Sequence, residues 1–294
     1  MYNIIAIGFF SCVSCVPIEY IPQNNIRMAL LCYFALDSYK NKMDVILHHG
    51  LYAFLTVYSP FYIIHRCLIL EWSTLCLLLY KEKLYNMFAF LWFAIRLIYM
   101  PYFFYQINNE ENIVLSNAGV LIHGFHFHWT CKIVDRKLDT SYGFSSLLLM
   151  LIPLNLCIID FQHYLILYLQ SQISFYFNVI RIPYYDTKQY HIIRSLDNSM
   201  IAYFGLRYIM FPYPHWTSAC LCMYKFFIDY YNSLHKSIFV YSTLCLLYRY
   251  SLLCPVTLIG AYIFQYKMNT LYHPMLYKYI WHSCSALLLG YSLT

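Results

Sequence analysis

Charge is what this chain has least of. Only 11% of its 294 residues are Asp, Glu, Lys or Arg, against roughly 25% in a soluble globular domain. With 8 glycines and 10 prolines it has too little of either for flexible or polyproline linkers, and no low-complexity segment is present. The first 16 residues lack a basic leader and a small-residue cleavage site, so they read as a retained first span rather than a secretory signal. Cysteine is not scarce, at 12, but its spacing is wrong for metal. Cys12 and Cys15 are three apart and Cys220 and Cys222 two apart, with no second pair matched to either, which excludes a zinc ribbon. Most of the others, such as Cys32, Cys76, Cys157 and Cys245, lie in apolar runs and read as small buried hydrophobes. The absences rule out a soluble domain and a disulfide scaffold.

What is present is apolar. The hydrophobic fraction is 61%, the aromatic fraction 21% and the mean hydropathy +0.52. Apolar runs fall near 3–16, 26–38, 45–60, 62–80, 84–105 and 113–131, then near 144–160, 162–180, 196–212, 216–232, 237–250, 254–267 and 276–292. They predict an all-α polytopic membrane protein of about 13 spans, although several runs fall short of the roughly 20 residues of a straight crossing. The basic residues alternate in register with this model. Lys40, Lys42, Lys81, Lys83, Lys132, Arg136, Lys137, Arg181, Lys188, Arg194, Lys236 and Lys267 fall in loops on one side, and only Arg27, Arg66 and Arg249 on the other. The positive-inside rule places the N-terminus in the cytosol and the C-terminus on the far side. Topology accounts for the basic loops, and no nucleic-acid partner is expected.

The polar stretch Asp135-Arg-Lys-Leu-Asp139-Thr-Ser-Tyr-Gly143 divides the chain into a membrane domain over 1–137 and a seven-span module over 144–294. No repeat relates the halves. Within the first half, Asp44-Val-Ile-Leu-His48-His49-Gly places two imidazoles and an acid in an apolar run, and ionisable residues at membrane depth are functional candidates. Adjacent helical positions point about 100° apart, so one histidine can face a bundle interior while the other packs on a neighbour. Asp44 precedes His48 by four residues and is expected on its face as an orienting carboxylate. An activated imidazole can act as base or acyl acceptor. Glu71 and Arg96 lie mid-run and are expected to pair, since an isolated charge in lipid is expensive. Pro101, five residues on, is expected to kink that span. His123 and His126 read as interfacial histidines beside Trp129; a metal role would also need His48 or His49.

Tyr33-Phe-x-x-Asp37, Asp44-x-x-x-His48-His49, Glu71-x-Ser73-Thr74, Phe93-x-x-Arg96 with Pro101-Tyr102, and Trp129-x-x-Lys132 together resemble the TLC-domain family over roughly residues 20–137. That family includes ceramide synthases and lipid-homeostasis proteins, and the Glu71-x-Ser-Thr form is closer to the latter. The resemblance implies a six-helix intramembrane barrel, residence in the endoplasmic reticulum, and membrane lipids as partners. It also implies acyl transfer from acyl-CoA to a sphingoid or other lipid amine, a non-catalytic lipid sensor or carrier being the alternative. His48, His49 and Asp44 would be the catalytic group, and Asp37, Glu71, Arg96, Trp129 and Lys132 would contact substrate. Two departures stand out: Ile64-His65-Arg66-Cys67-Leu-Ile-Leu-Glu71 lacks the aspartates that ceramide synthases carry there, and His126 replaces an asparagine. A transporter is the rival from another class, but the inverted repeats expected of one are not found.

In the second half, Ser195-Leu-Asp197 opens one run and Lys278-Tyr-Ile-Trp-His282 lies in the last. Seven spans with these motifs resemble the superfamily of alkaline ceramidases and progestin/adiponectin receptors, which implies zinc-dependent hydrolysis of lipid amides. Two of that pattern's histidines are replaced here by Asn178, in Ser174-Phe-Tyr-Phe-Asn178, and by Lys278. Asp197 and His282 would then be the only strong metal ligands, one short of the three usual for catalytic zinc, so a working zinc site is not expected. The alternative reading makes Asp197 a helix N-cap, His282 a packed side chain and His191 a loop residue.

Overall fold

A computed structural model describes residues 2–39, 41–79, 85–109, 113–157, 159–185, 187–204, 259–260 and 275–293. The described chain is helical, and no strand occurs among the described residues. The runs expected at 216–232, 237–250 and 254–267, and the end of that at 196–212, lie outside them apart from Ile259 and Gly260. Among the described residues, two helices, Phe61–Leu79 and Asn86–Asn108, are long and apolar enough to cross a membrane.

The chain forms two compact units, Met1–His126 and Phe127–Thr294. The first contains α1 (Tyr2–Val13), α2 (Gln23–Ser38), α3 (Met43–Tyr58), α4 (Phe61–Leu79), α5 (Asn86–Asn108) and the first half of α6 (Ile113–Val134). Prolines set several of these boundaries. Pro22 stands at the N-cap of α2 and Pro60 at that of α4, where a residue without an N–H costs nothing and the residue before it is held out of helical geometry. Side chains from neighbouring helices satisfy the exposed helix ends. Arg27 of α2 donates to the α3 carbonyls of Thr56 and, at 2.8 Å, to that of Ser59 just beyond. Nε2 of His65 lies 3.2 Å from the Val13 carbonyl and 3.0 Å from that of Val16. A cation at a helix C-terminus also meets the negative end of the helix dipole.

Pro101 is associated with a change in helix type. The residues ahead of it, Trp92–Tyr99, form a π-helical stretch inside α5. Proline offers no N–H and clashes with the carbonyl four residues back, and a wider turn relieves both. The packing of the unit comes from α1 against α4, α2 against α3, and α4 against α5. Its centre is filled by Phe10, Leu30, Leu55, Ile63, Phe88, Met100, Phe103 and Phe104.

The second unit contains the end of α6, α7 (Ser141–Leu156), α8 (Phe161–Ile180), α9 (Lys188–Phe204) and α10 (Met275–Leu293). In it α7 packs along α10 and α8, and α8 along α9. The divide between the units falls inside α6 rather than at the polar stretch 135–143. The Phe127 ring explains this, packing 5.4 Å from Tyr168 and 5.7 Å from Phe175, both of the second unit. Asp160 is the N-cap of α8, accepting from the His163 N–H at 2.8 Å. The predicted cap at Asp197 is not one. Helix α9 begins at Lys188, so Asp197 lies well inside it, 7% exposed, and His191 is helical too. Nothing in Lys188-Gln-Tyr-His-Ile-Ile-Arg194 breaks a helix, so it continues past the end of the apolar run.

Candidate functional site

In the first unit the histidine pair is buried, with His48 and His49 each 8% exposed. Their divergence around α3 takes them to different neighbours. His49 turns to α2, where its ring lies 5.9 Å from Tyr33 and 5.3 Å from Phe34. His48 stacks edge-on to Tyr52 at 4.6 Å and to Phe125 of α6 at 5.7 Å. Asp37 reaches the pair from α2: its Oδ2 is 3.6 Å from His49 Nε2. Its Oδ1 accepts from Asn3 Nδ2 at 2.5 Å, and Ser38 Oγ lies 3.4 Å from His49 Nδ1. Asp44 sits in the first turn of α3, one helical turn before His48. Helical spacing put Asp44 on the face of His48; the packing of α2 on α3 brings Asp37, from outside the helix, to His49.

Arg96 stands in the π-helical stretch and is 4% exposed. It is not paired with Glu71 within ion-pair distance. Its Nε donates to Ser73 Oγ at 3.1 Å, its Nη2 to Thr74 Oγ1 at 3.0 Å and to the Leu70 carbonyl at 3.4 Å, and its guanidinium lies 4.4 Å from the centre of the Trp92 ring. Nη1 has no hydrogen-bond partner among the described residues, and neither has the buried Tyr52 hydroxyl. Arg96 nonetheless acts electrostatically on His48, His126, Tyr52 and Glu71. Glu71 lines a small pocket with Phe34, Tyr52, Thr56 and Cys67. The site is a buried polar centre assembled from α2, α3, α4, α5 and α6.

His123 and His126 are not interfacial. Both are 0% exposed, with His123 edge-on to Phe104 at 5.2 Å and His126 edge-on to Trp92 at 6.3 Å. One helical turn before His123, Gly119 lets Phe104 lie so close that an added Cβ would meet its ring at 2.4 Å. Trp129 and Lys132 belong to the second unit. Lys132 Nζ donates to the carbonyl of Leu138 at 2.5 Å and of Arg136 at 3.3 Å, closing the turn after α6.

The second unit has a buried polar cluster of its own. Nδ1 of His282 lies 2.9 Å from Ser145 Oγ, and its Nε2 lies 3.3 Å from Ser174 Oγ. Asp197 accepts from Gln170 Nε2 at 3.1 Å and is close to the Ser174 hydroxyl. Asn178 Nδ2 donates to the Ser174 carbonyl at 2.8 Å. Lys278, one turn before His282, is 2% exposed with its ammonium 4.7 Å from the centre of the Tyr142 ring.

No family model, curated protein or solved structure matches this chain.

Among the described residues the second cluster offers zinc only Asp197 and His282 of the ligands that the resemblance implies. Both imidazole nitrogens of His282 face hydroxyls, an amide occupies position 178, and a cation occupies position 278. No group of three His, Cys, Asp or Glu side chains able to hold a metal forms among the described residues, in this unit or the first. Sequence reasoning missed Ser145 and Tyr52, because a lone serine or tyrosine in an apolar run carries no periodic signal.

Proposed function

We infer that this chain is an integral membrane protein that handles long-chain lipids, with the polar centre of the first unit as its working site. One observation carries the reading: two histidines and an arginine are held together inside helices whose outer surfaces are apolar. On α2, Met28 and Leu36 are 61% and 59% exposed, and they share a stripe with the exposed Cys32. On α3, Leu47 and Val57 are 54% and 58% exposed, and on α5, Phe93 and Ile98 are 56% and 57% exposed. Such surfaces suit acyl chains rather than water. Multi-pass insertion with about 13 spans, a cytosolic N-terminus and residence in the endoplasmic reticulum belong to the same reading, as does kinship with the lipid-homeostasis branch of the TLC-domain family.

The chemistry proposed is acyl transfer from acyl-CoA to a lipid amine. Asp37 and Ser38 engage both nitrogens of His49 and hold the ring still. His48, held by ring contacts, takes the amine proton as the nitrogen attacks the thioester carbonyl; the tetrahedral intermediate then collapses, the C–S bond breaks, and the departing CoA sulfur takes that proton to leave as the free thiol. Arg96, a fixed cation within electrostatic reach of His48, stabilises the oxyanion that develops. Lipid profiles of cells expressing the protein or its His48→Ala/His49→Ala variant, at matched expression and with matched thermal stability, test this. An N-acylated lipid pool that rises only with the intact pair supports transfer. Equal shifts with both proteins would remove catalysis and leave a lipid sensor or carrier.

A further inference from the structure

The cluster in the second unit has the connectivity of a hydroxyl nucleophile, its base and an orienting group. When Nδ1–H of His282 donates to Ser145 Oγ at 2.9 Å, the lone pair of Nε2 is left facing the Ser174 hydroxyl at 3.3 Å. Fixing one ring nitrogen through a hydrogen bond is what makes the other a competent base. The three groups come from α7, α8 and α10, and they are 0%, 2% and 3% exposed for Ser145, Ser174 and His282 respectively. The neighbouring hydroxyl of Ser171 is directed elsewhere, donating to the Ser146 carbonyl at 2.9 Å. Of these two α8 serines, Ser174 is the one that faces the imidazole.

We propose that the second unit is a metal-independent serine–histidine centre that cleaves carboxylic esters of membrane lipids, with Ser174 as nucleophile, His282 as general base and Ser145 as the residue that positions it. An ester is uncharged and is carried on acyl chains, so it can enter a site enclosed by apolar helices, which would exclude a charged donor. In the first step Ser174 Oγ bonds to the acyl carbon and its proton passes to His282 Nε2. The ester C–O bond breaks, and the departing alcohol oxygen takes that proton. Water then attacks the acyl-serine, giving a proton to His282; the acid leaves and Ser174 Oγ recovers the proton. The centre is separate from the site in the first unit and independent of its function.

A long-chain alkyl fluorophosphonate reads the nucleophile directly, since its phosphorus is captured by an activated serine with loss of fluoride. The full-length protein in lipid nanodiscs is treated with the probe, and the adduct is mapped by mass spectrometry. Modification at Ser174 is expected, unchanged by a chelator, lost in Ser174→Ala and retained in Ser171→Ala. His282→Gln should slow it by about 10²-fold or more, the usual scale of base catalysis. Ser145→Ala leaves the imidazole in place, so it tests the proposal even if the His282 variant does not fold; a slower rate with an unchanged melting profile is expected. A wild-type protein left unmodified at Ser174, a rate indifferent to both His282→Gln and Ser145→Ala, or labelling abolished by the chelator would overturn the proposal.

Discussion

Arg96 shows what a single residue costs and gains in this fold. A buried guanidinium needs acceptors for its N–H groups, and this one finds two hydroxyls, a carbonyl and an indole face rather than a carboxylate. Ser73→Ala would leave Nε without an acceptor. The expected cost is about 1–3 kcal/mol, measured as a lower melting temperature in detergent, with Ser73→Thr retaining most of the stability. Asp37→Asn addresses the proposed acyl transfer. In Asp37→Asn the side chain keeps its shape but loses the charge that faces His49 Nε2 at 3.6 Å. If the first unit transfers acyl groups, this variant should lower the N-acylated lipid pool, though by less than His48→Ala/His49→Ala does, at unchanged melting temperature. A pool equal to wild type would show that Asp37 does not serve the imidazole.

Among the elements, the close packing of α5 on α6 depends on one missing methyl group. A Cβ at Gly119 would lie 2.4–2.9 Å from three atoms of the Phe104 ring, which is 1% exposed and has no room to retreat. Gly119→Ala should therefore destabilise by about 1–3 kcal/mol, with partial recovery when combined with Phe104→Leu. The connections have their own chemistry. The Tyr184 hydroxyl donates to Asp135 Oδ2 at 2.5 Å and the Lys137 N–H to Oδ1 at 2.9 Å. These bonds, that of Tyr184 first, hold the Asp135 carboxyl below its ordinary value. A carboxyl depressed on folding contributes stability that is complete above its unfolded value and lost as pH falls through the lowered, folded one. Acid unfolding should accordingly begin at higher pH in Tyr184→Phe than in wild type. Superimposable acid limbs would mean that this bond is not made in solution.

For the molecule as a whole, the distribution of basic residues is the quantity to test. If the loops alternate across a bilayer as twelve basic residues against three suggest, tags inserted after residues 82 and 186 should be accessible from the cytosol. Tags after 59 and 110 should require permeabilisation. Uniform access would remove the multi-pass reading. The two units also set how damage should spread. Overpacking at Gly290, where a Cβ would meet Leu156 at 2.6 Å and the Pro153 backbone at 3.3 Å, lies in the second unit. Hydrogen exchange in Gly290→Ala should rise in α7 and α10 before it rises around His48.

The sequence by itself determined the helical class and most of the described helix positions. The predicted runs 45–60, 62–80 and 162–180 correspond to α3, α4 and α8 within a few residues, because apolar length and proline breaks are local properties. It also picked out His48, His49, Glu71 and Arg96 as residues too polar for their surroundings. Only the tertiary structure decided their partners. Asp37 of a neighbouring helix reaches His49, hydroxyls rather than Glu71 hold Arg96, and His282 lies between two serines 108 and 137 residues distant in the chain. Periodicity fixes which side of a helix a residue occupies. Which neighbour that side meets depends on how helices pack, and no local pattern in the chain records that.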